Sequence, residues 1–506
     1  MKNKLIKQID WGQTLLPLIS ITLLVVIFLM YPQKSTNILH NIRAELGNNF
    51  GWFYVLLGFG IFITTLVIAF SKYGQIVLGK ENVPSYSNVK WGMMIFTSTM
   101  SADIIFYALT EWTMYAKEIF IQTKPGGVGL WTLTYSLFHW GPIAWSFYII
   151  LAVAFAFMIH VRQKDKQKFS EAVRPLLGEK VDGFWGKLIN LIAIFALIAG
   201  TATTFSVSMP LLSAALSKVF GLHDSPTLSV IILLVIALIY TVNVLLGMDA
   251  ISRWASYCVV LFLLLLGFVF WGGGKALFIL DNGVAAIGNL VQNFMGMATW
   301  TDPQRKSNFV QNWTIYYWAY WLVWCTATPF FIASISKGRT IKNVILGAYS
   351  WGLSGTALAF VTLSNYGLGK YLLDGLNIQG LINKGNSYIE IAIQVLDTLP
   401  MHNVVLILLI LTMVGMYATV FESITMVVSF YSYKELSEGQ LPDRRIRAFW
   451  AITFIILPLT LIFMKQSIYS LQSVAIIFAF PISIIVLLVV TSFFKDARKY
   501  LKNNNY

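Results

Sequence analysis

The chain has 506 residues, of which 57% are apolar and only 11% charged, and its formal net charge is +14. That length would accommodate several water-soluble domains, but so few charges could not cover their surfaces, and the composition describes a polytopic membrane protein. The excess of Lys and Arg does not point to nucleic acid, because these residues sit in short segments between apolar runs, where they report topology.

Residues 1–30 open with Lys2, Lys4 and Lys7 ahead of an apolar run, as a signal peptide does. No small-residue cleavage site follows and the run is long enough to span, so a retained first helix is predicted. Apolar runs of spanning length fall at 14–31, 52–71, 92–115, 134–160, 187–217, 228–247, 252–272, 314–336, 341–363, 402–432, 448–464 and 468–494. The reading is an all-α membrane protein with twelve transmembrane helices. Of the 36 Lys and Arg residues, 25 lie in the two tails and in or beside the loops after even-numbered runs. The positive-inside rule then places both termini in the cytoplasm. Two long outer connections, 273–313 and 364–401, carry amphipathic segments such as Val284 to Met297, predicted as short helices against the bundle. The most basic inner connection, 161–186, also holds Glu171, Glu179 and Asp182 and is predicted as a surface helix with a solvated charged face.

Certain residues within the runs carry chemistry. Asp103 stands in mid-run, where an ionised carboxylate costs about 2.5–3.5 kcal/mol on insertion scales, so some neighbour or ligand must offset it. Its bland alternative is a structural Asp paired with a neighbouring helix. Glu111 follows on the same run and is predicted to tie helices together. In the fourth run, Trp145 and Tyr148 are i, i+3 neighbours, whereas Trp140 precedes a Gly-Pro pair at a distorted first turn. Asn312 to Thr340, NWTIYYWAYWLVWCTATPFFIASISKGRT, is the richest stretch. At 100° per residue it aligns Tyr317, Trp321, Trp324 and Thr328 on one stripe with Tyr320 beside it. Electron-rich ring faces that converge attract organic cations and form the aromatic cages that hold quaternary ammonium groups. Aromatics also gather at membrane interfaces, which suits Trp313, Tyr316 and Tyr317, but Trp321 and Trp324 lie too deep for a belt. The same stretch holds an Asn312-Trp313-Thr314 sequon at the membrane edge, which is discounted, and a basic turn, Lys337-Gly338-Arg339, that is either an inner gate closed by salt bridges or a topology signal.

The pattern NWTIYYWAYW followed by IASISKGRT resembles the signature of the betaine/choline/carnitine transporter family. SLFHWGPIAWSFY, PLLG at 175–178, GKLINLIAIFALIAGTATT and MATWTDP match it too, the last being similar to carnitine and butyrobetaine exchangers, and the resemblance runs from about residue 50 to the C-terminus. It implies a LeuT-like fold: one polytopic domain over 1–506, with a tail and two extra N-terminal helices (1–91), two inverted five-helix repeats (92–272 and 314–494), and a short cytoplasmic tail (495–506). The site would lie at the repeat interface near the midplane, where helices are locally unwound. A homotrimer is also implied. The short tails predict no tight osmotic gating.

Residue by residue, the resemblance makes Trp140, Trp145, Tyr148 and Trp321 the cage around a trimethylammonium head, with Trp324 lining the cytoplasmic exit. Tyr320 stands where the family usually has a second Trp, and Met114 where carnitine exchangers carry a Tyr; its polarisable thioether still suits a cage wall. Asp103 replaces a glycine of the sodium-coupled betaine transporters and resembles proton-coupled choline members. The physics agrees, because choline is a bare cation that gains from a protein carboxylate, whereas betaines bring their own. Arg253 aligns with an arginine that fills a coupling-sodium position in sodium-independent members, although a cytoplasmic-end Arg obeying the charge rule is the plain alternative. Thr419, Val420 and Glu422 match a stretch of two hydroxyls and a carboxylate, with Val420 in place of one hydroxyl, and Glu422 is a candidate partner for Arg253. Thr328 departs from the exchangers' sulfur, which weakens the case for a second, outer substrate site.

The predicted function is secondary active transport of quaternary ammonium compounds, with sodium-independent, proton- or potential-driven choline uptake ahead of carnitine, butyrobetaine or glycine betaine transport or exchange. Cys258 and Cys325 lie in apolar runs, the histidines have no ligand spacing, and no phosphate loop occurs, so no disulfide, metal, cofactor or ATP is predicted. A lipid-modifying membrane enzyme would need a membrane-edge nucleophile or metal cluster, and a channel would need charge rings or a filter motif; neither is visible.

Overall fold

The computed structural model describes residues 8–504 apart from 82, 99–100, 165–166, 247, 384, 435, 437–439 and 465–467, and the backbone alone at 98, 243–256, 379, 382–383 and 468–469. It is helical throughout, and the extended pairing among the described residues amounts to two isolated bridges. In chain order the principal helices are α1 (Trp11–Met30), α2 (Pro32–Phe70), α3 (Asn88–Ser98), α4 (Ala102–Ala116), α5 (Gly127–His139), α6 (Pro142–Ala156), α7 (Phe184–Phe220), α8 (Pro226–Leu246) and α9 (Met248–Gly272). They are followed by α10 (Ala276–Thr299), α11 (Ile315–Trp324), α12 (Thr328–Ser334), α13 (Ile341–Ala359), α14 (Asn365–Leu372), α15 (His402–Tyr431), α16 (Arg444–Phe463) and α17 (Ile468–Asn503).

Among the described residues eight helical segments are long and apolar enough to cross a bilayer, and ten if α3–α4 and α9–α10 each count as one bent span. The predicted twelve therefore rests on the sequence. The run at 314–336 is not one helix: the α-helical hydrogen bonding stops at Trp324 and resumes at Thr328, with Pro329 in the first turn of the new segment. The run at 92–115 is also divided, α3 and α4 meeting at 63°. In the fourth run Trp140 and Gly141 separate α5 from α6, which restarts on Pro142. A side chain at Gly141 would put its Cβ 2.1 Å from the Leu137 carbonyl oxygen, so this break requires glycine. Three of the apolar runs thus change direction or lose a turn inside the bundle, which frees backbone groups that only a protein-lined cavity can tolerate.

The outer segment expected near 284–297 is α10, longer than predicted and turned 109° from α9. Its Leu277, Leu280, Val284, Ile287, Val291 and Met295 are all exposed, an apolar stripe at helical spacing. The connection 161–186 departs from the predicted surface helix. It folds as short turns, in which Arg174 bridges a buried Glu171 at 2.8 Å and an exposed Asp182 at 2.7 Å, so the charged face stays at the surface but is carried by turns pinned by ion pairs.

The basic turn after α12 is a clasp of another kind than predicted. Leu78 N donates to Arg339 O at 2.8 Å, Gly338 N to Leu78 O at 2.7 Å and Ile341 N to Ile76 O at 3.0 Å, joining this turn to the loop after α2. Arg339 is buried, and its bonded partners are neutral: Asn88 Oδ1 and Asn343 Oδ1 at 2.7 Å, the Tyr86 carbonyl at 2.8 Å and the face of Trp91 at 4.2 Å. The expected salt bridges are replaced by carbonyl oxygens and a ring face, which hold the cation without a second buried charge.

The core packs tightly around the predicted cage. Trp145 is fully buried, and an added Cβ at Gly352 on α13 would lie 2.3 Å from its ring. Gly352→Val is expected to push that indole aside and to lower the stability of the purified protein by about 1–3 kcal/mol, as overpacking does. The check is a thermal-unfolding midpoint in detergent; an unchanged midpoint would mean that the ring is free to move.

Candidate functional site

A cavity of about 50 Å³ opens where the broken segments meet, lined by Ser101, Asp103, Ile104, Trp140, Tyr148, Tyr320, Trp321, Trp324, Thr328 and Val420. Six predicted site residues, Asp103, Trp140, Tyr148, Tyr320, Trp321 and Trp324, are brought together here. Each of the three breaks supplies the wall. Asp103 lies in the first turn of α4, Trp140 caps α5, Trp324 ends α11 and Thr328 begins α12.

The rings close around the space. Trp321 lies 5.8 Å from Trp140 and 4.8 Å from Tyr148, centroid to centroid, and Trp140 lies 6.4 Å from Tyr320. Trp145 stands 5.9 Å from Trp321 and 6.0 Å from Tyr148 but does not line the cavity; it backs the two rings that do. Trp140 is oriented by Glu111, whose Oε2 accepts the indole Nε1–H at 2.9 Å, so the expected helix tie fixes a cage ring. Beyond it, His139 bonds Tyr115 Oη at 2.7 Å and Thr314 Oγ1 at 2.9 Å. Tyr317, on the same helical stripe but suited by sequence to a membrane-interface belt, is instead fully buried and stacks on His139 at 4.8 Å, one turn before Trp321.

Asp103 is 3% exposed, and the sequence reading of a carboxylate in the middle of a helix is corrected in a way that answers what offsets its burial. It sits at the start of α4, where unpaired backbone N–H groups and the helix dipole favour negative charge by about 0.3–1 kcal/mol, up to about 2 when partly buried. Its two oxygens are each met by a hydroxyl, Oδ1 by Ser101 and Oδ2 by Tyr320. Both donors are neutral, and among the described residues no Lys or Arg lines the cavity. The site thus combines one carboxylate, no basic partner in its lining and a wall of aromatic faces, an arrangement suited to a compact organic cation.

The remaining predicted residues divide. Met114 is buried but lies eleven residues beyond Asp103 on α4, about 16 Å along the axis, and does not line the cavity. Thr419 donates to the Met416 carbonyl at 2.9 Å within its own helix, while its neighbour Val420 forms part of the wall. Glu422 is buried outside the lining, and among the described residues the guanidinium acting on it is that of Arg447 on α16. The side chain of Arg253 lies outside the described residues. Asp302, in the exchanger-like TWTDP block, is occupied by a turn: its carboxylate accepts from Lys306 N at 3.2 Å, Ser307 N at 3.1 Å and Asn308 N at 2.8 Å, which shapes the approach to α11. Two polar contributors escaped the sequence reading, Ser101 and Thr204, along with the apolar wall residue Ile104. Thr204 Oγ1 accepts from Trp324 Nε1 at 3.2 Å and is bonded to the Tyr320 hydroxyl. The signal for both was a hydroxyl run in an apolar segment, TSTMS ahead of Asp103 and TATTFSVS in the fifth run.

Comparison with known proteins agrees with this geometry. Residues 14–502 match the betaine/carnitine/choline family of transporters. The chain is 30% identical over 478 residues to a probable glycine betaine transporter of Desulfitobacterium hafniense, covering 92% of this chain and 93% of that one. It is 26% identical over 461 residues to a carnitine transporter of Acinetobacter baumannii, covering 91% and 84%. To the glycine betaine transporter OpuD of Bacillus subtilis it is 27% identical over 477 residues, covering 92% and 90%. With a matching profile over nearly its whole length, this chain belongs to the betaine/carnitine/choline transporter family.

Proposed function

We propose that this transporter takes up choline, or a quaternary ammonium compound of the same net positive charge, by alternating access without sodium, driven by a proton gradient or the membrane potential. The single observation that carries the reading is Asp103 in the wall of the aromatic cavity with a neutral hydroxyl on each oxygen. A zwitterion brings a carboxylate of its own, and a second carboxylate in the same low-dielectric space repels it. A bare quaternary cation meets the ring faces with its methyl groups and Asp103 with its charge, each ring contributing about 0.5–2 kcal/mol. Sodium independence is supported by Val420, an apolar wall residue where the family resemblance places a hydroxyl ligand. The second reading, transport or exchange of carnitine, butyrobetaine or glycine betaine, is favoured by the relatives named above.

Topology and assembly belong to the same proposal. Cytoplasmic termini are supported by the Lys and Arg bias, 25 of 36 on one side. The two inverted repeats, 92–272 and 314–494, are supported by the broken segments α3–α4 and α11–α12, one in each, meeting at one cavity. A homotrimer would cover the exposed stripe of α10.

Tracer uptake into proteoliposomes tests the energetics. Choline accumulation is expected to be unchanged when sodium is replaced by potassium outside, and to rise with an inside-negative potential or an acidic exterior. Accumulation that needs sodium would overturn the coupling. Asp103→Asn tests the substrate: choline uptake is expected to fall at least about ten-fold, in line with the worth of a hydrogen-bonded buried charge, while any betaine uptake is spared. Choline uptake that survives the substitution would sink this reading.

A further inference from the structure

Two of the places where the cavity lining departs from the family pattern touch each other. Tyr320, standing where a Trp is usual, donates its hydroxyl to Asp103, standing where a glycine is usual. The contact continues through α7 and back to α11: the Tyr320 hydroxyl is bonded to Thr204 Oγ1, which accepts from Trp324 Nε1 at 3.2 Å. The direction of the protons is set at the carboxylate end. An ionised carboxylate only accepts, so the single Tyr320 proton goes to Asp103. The Tyr320 oxygen then accepts the single Thr204 proton, and Thr204 accepts from the Trp324 indole, which can only donate. All three donors point toward the carboxylate.

We infer that the chain Trp324 to Thr204 to Tyr320 to Asp103 is a polarised donor relay that sets the charge class of the substrate, with Thr204 and Tyr320 as positioning residues acting through Asp103. This rests on the reading of Asp103 given above and adds residues that nothing else assigns. A donor held at Oδ2 favours the ionised carboxylate, which attracts a cation and rejects a zwitterion. The polarity is built in by the carboxylate, which only accepts, and the Trp324 indole, which only donates, closes the other end of the chain. Tyr320 also replaces ring area with a hydroxyl in the same position, so the cage loses part of a face and gains a means of keeping Asp103 charged.

The experiment compares choline with glycine betaine in the same proteoliposomes of full-length protein, so that the preference does not depend on how much of each variant folds. Thr204→Val keeps the shape and loses the hydroxyl, Thr204→Ser restores it, and Tyr320→Phe keeps the ring. Each is made alone and in the Asp103→Asn background. Thr204→Val and Tyr320→Phe are expected to lower the preference for choline about ten-fold, Thr204→Ser to recover it, and neither of the first two to add anything once Asp103 is Asn. If Thr204→Ser behaves like Thr204→Val, or if their effects persist at full size beside Asp103→Asn, the relay is refuted while the role of Asp103 stands. If Asp103→Asn alone leaves the preference untouched, the reading of Asp103 falls and the relay with it.

Discussion

Everything in the centre of this molecule depends on one acidic side chain kept in an apolar bundle by neutral donors. Asp103 has the start of α4 beneath it and a hydroxyl on each oxygen. A Lys or Arg in the lining would have neutralised it and left the cavity indifferent to a cation. Hydroxyls stabilise the carboxylate and leave its charge uncancelled, so the field of the carboxylate is available to a ligand in a space walled by ring faces.

The helix breaks follow from the same requirement. A continuous α-helix spends all of its interior N–H and C=O groups on itself and presents only side chains. Interrupting the backbone ahead of Ala102 turns an N-terminus toward the cavity; interrupting it at Gly141 lets Trp140 leave the helical path; interrupting it after Trp324 brings Thr328 to the wall. Glu111 then holds the freed Trp140 by its N–H, and Gly352 leaves room for Trp145 behind the cage. Ring positions, backbone breaks and glycines make one arrangement, in which a change in any of them reaches the others through contact.

Side-chain identity was legible in the sequence and backbone path was not. Asp103 stood out because a charge inside an apolar run must be met by a partner or a ligand, Trp321 and Trp324 because rings so deep in a span exceed what an interfacial belt requires, and Trp140 and Tyr148 through the family resemblance. Of the stripe, Trp321, Trp324 and Thr328 reach the cavity despite the lapse in hydrogen bonding after Trp324, whereas Tyr317, one turn before Trp321 on the same helix, is taken up by the face of His139. Met114 failed because its family position carried chemistry in a different side chain, and here α4 takes it about three turns from Asp103. Thr204 stood in a visible hydroxyl run but could not be singled out within it, since threonines in a transmembrane run normally bond their own backbone, as Thr201 does with Leu197. Only the packing of α7 on α11 gives Thr204 a different partner.

The TWTDP block shows why matching a motif is weaker than placing it. By likeness it favours the exchangers, yet Asp302 spends its oxygens on backbone amides of its own turn and supplies nothing to the cavity. Among the residues that do face the cavity are two in which this chain differs from the pattern, Asp103 and Tyr320, and they touch each other. A carboxylate introduced opposite an indole would find no acceptor-seeking hydroxyl there, and a tyrosine introduced opposite a glycine would have a buried hydroxyl with one partner fewer. Either change alone leaves a polar group short of a partner at a cost of about 1–3 kcal/mol, and the pair removes that cost. On the proposed reading, substrate choice would be carried by a mutually satisfied pair, and the charge class would be a property of two helices in contact, α4 and α11, rather than of one residue on either.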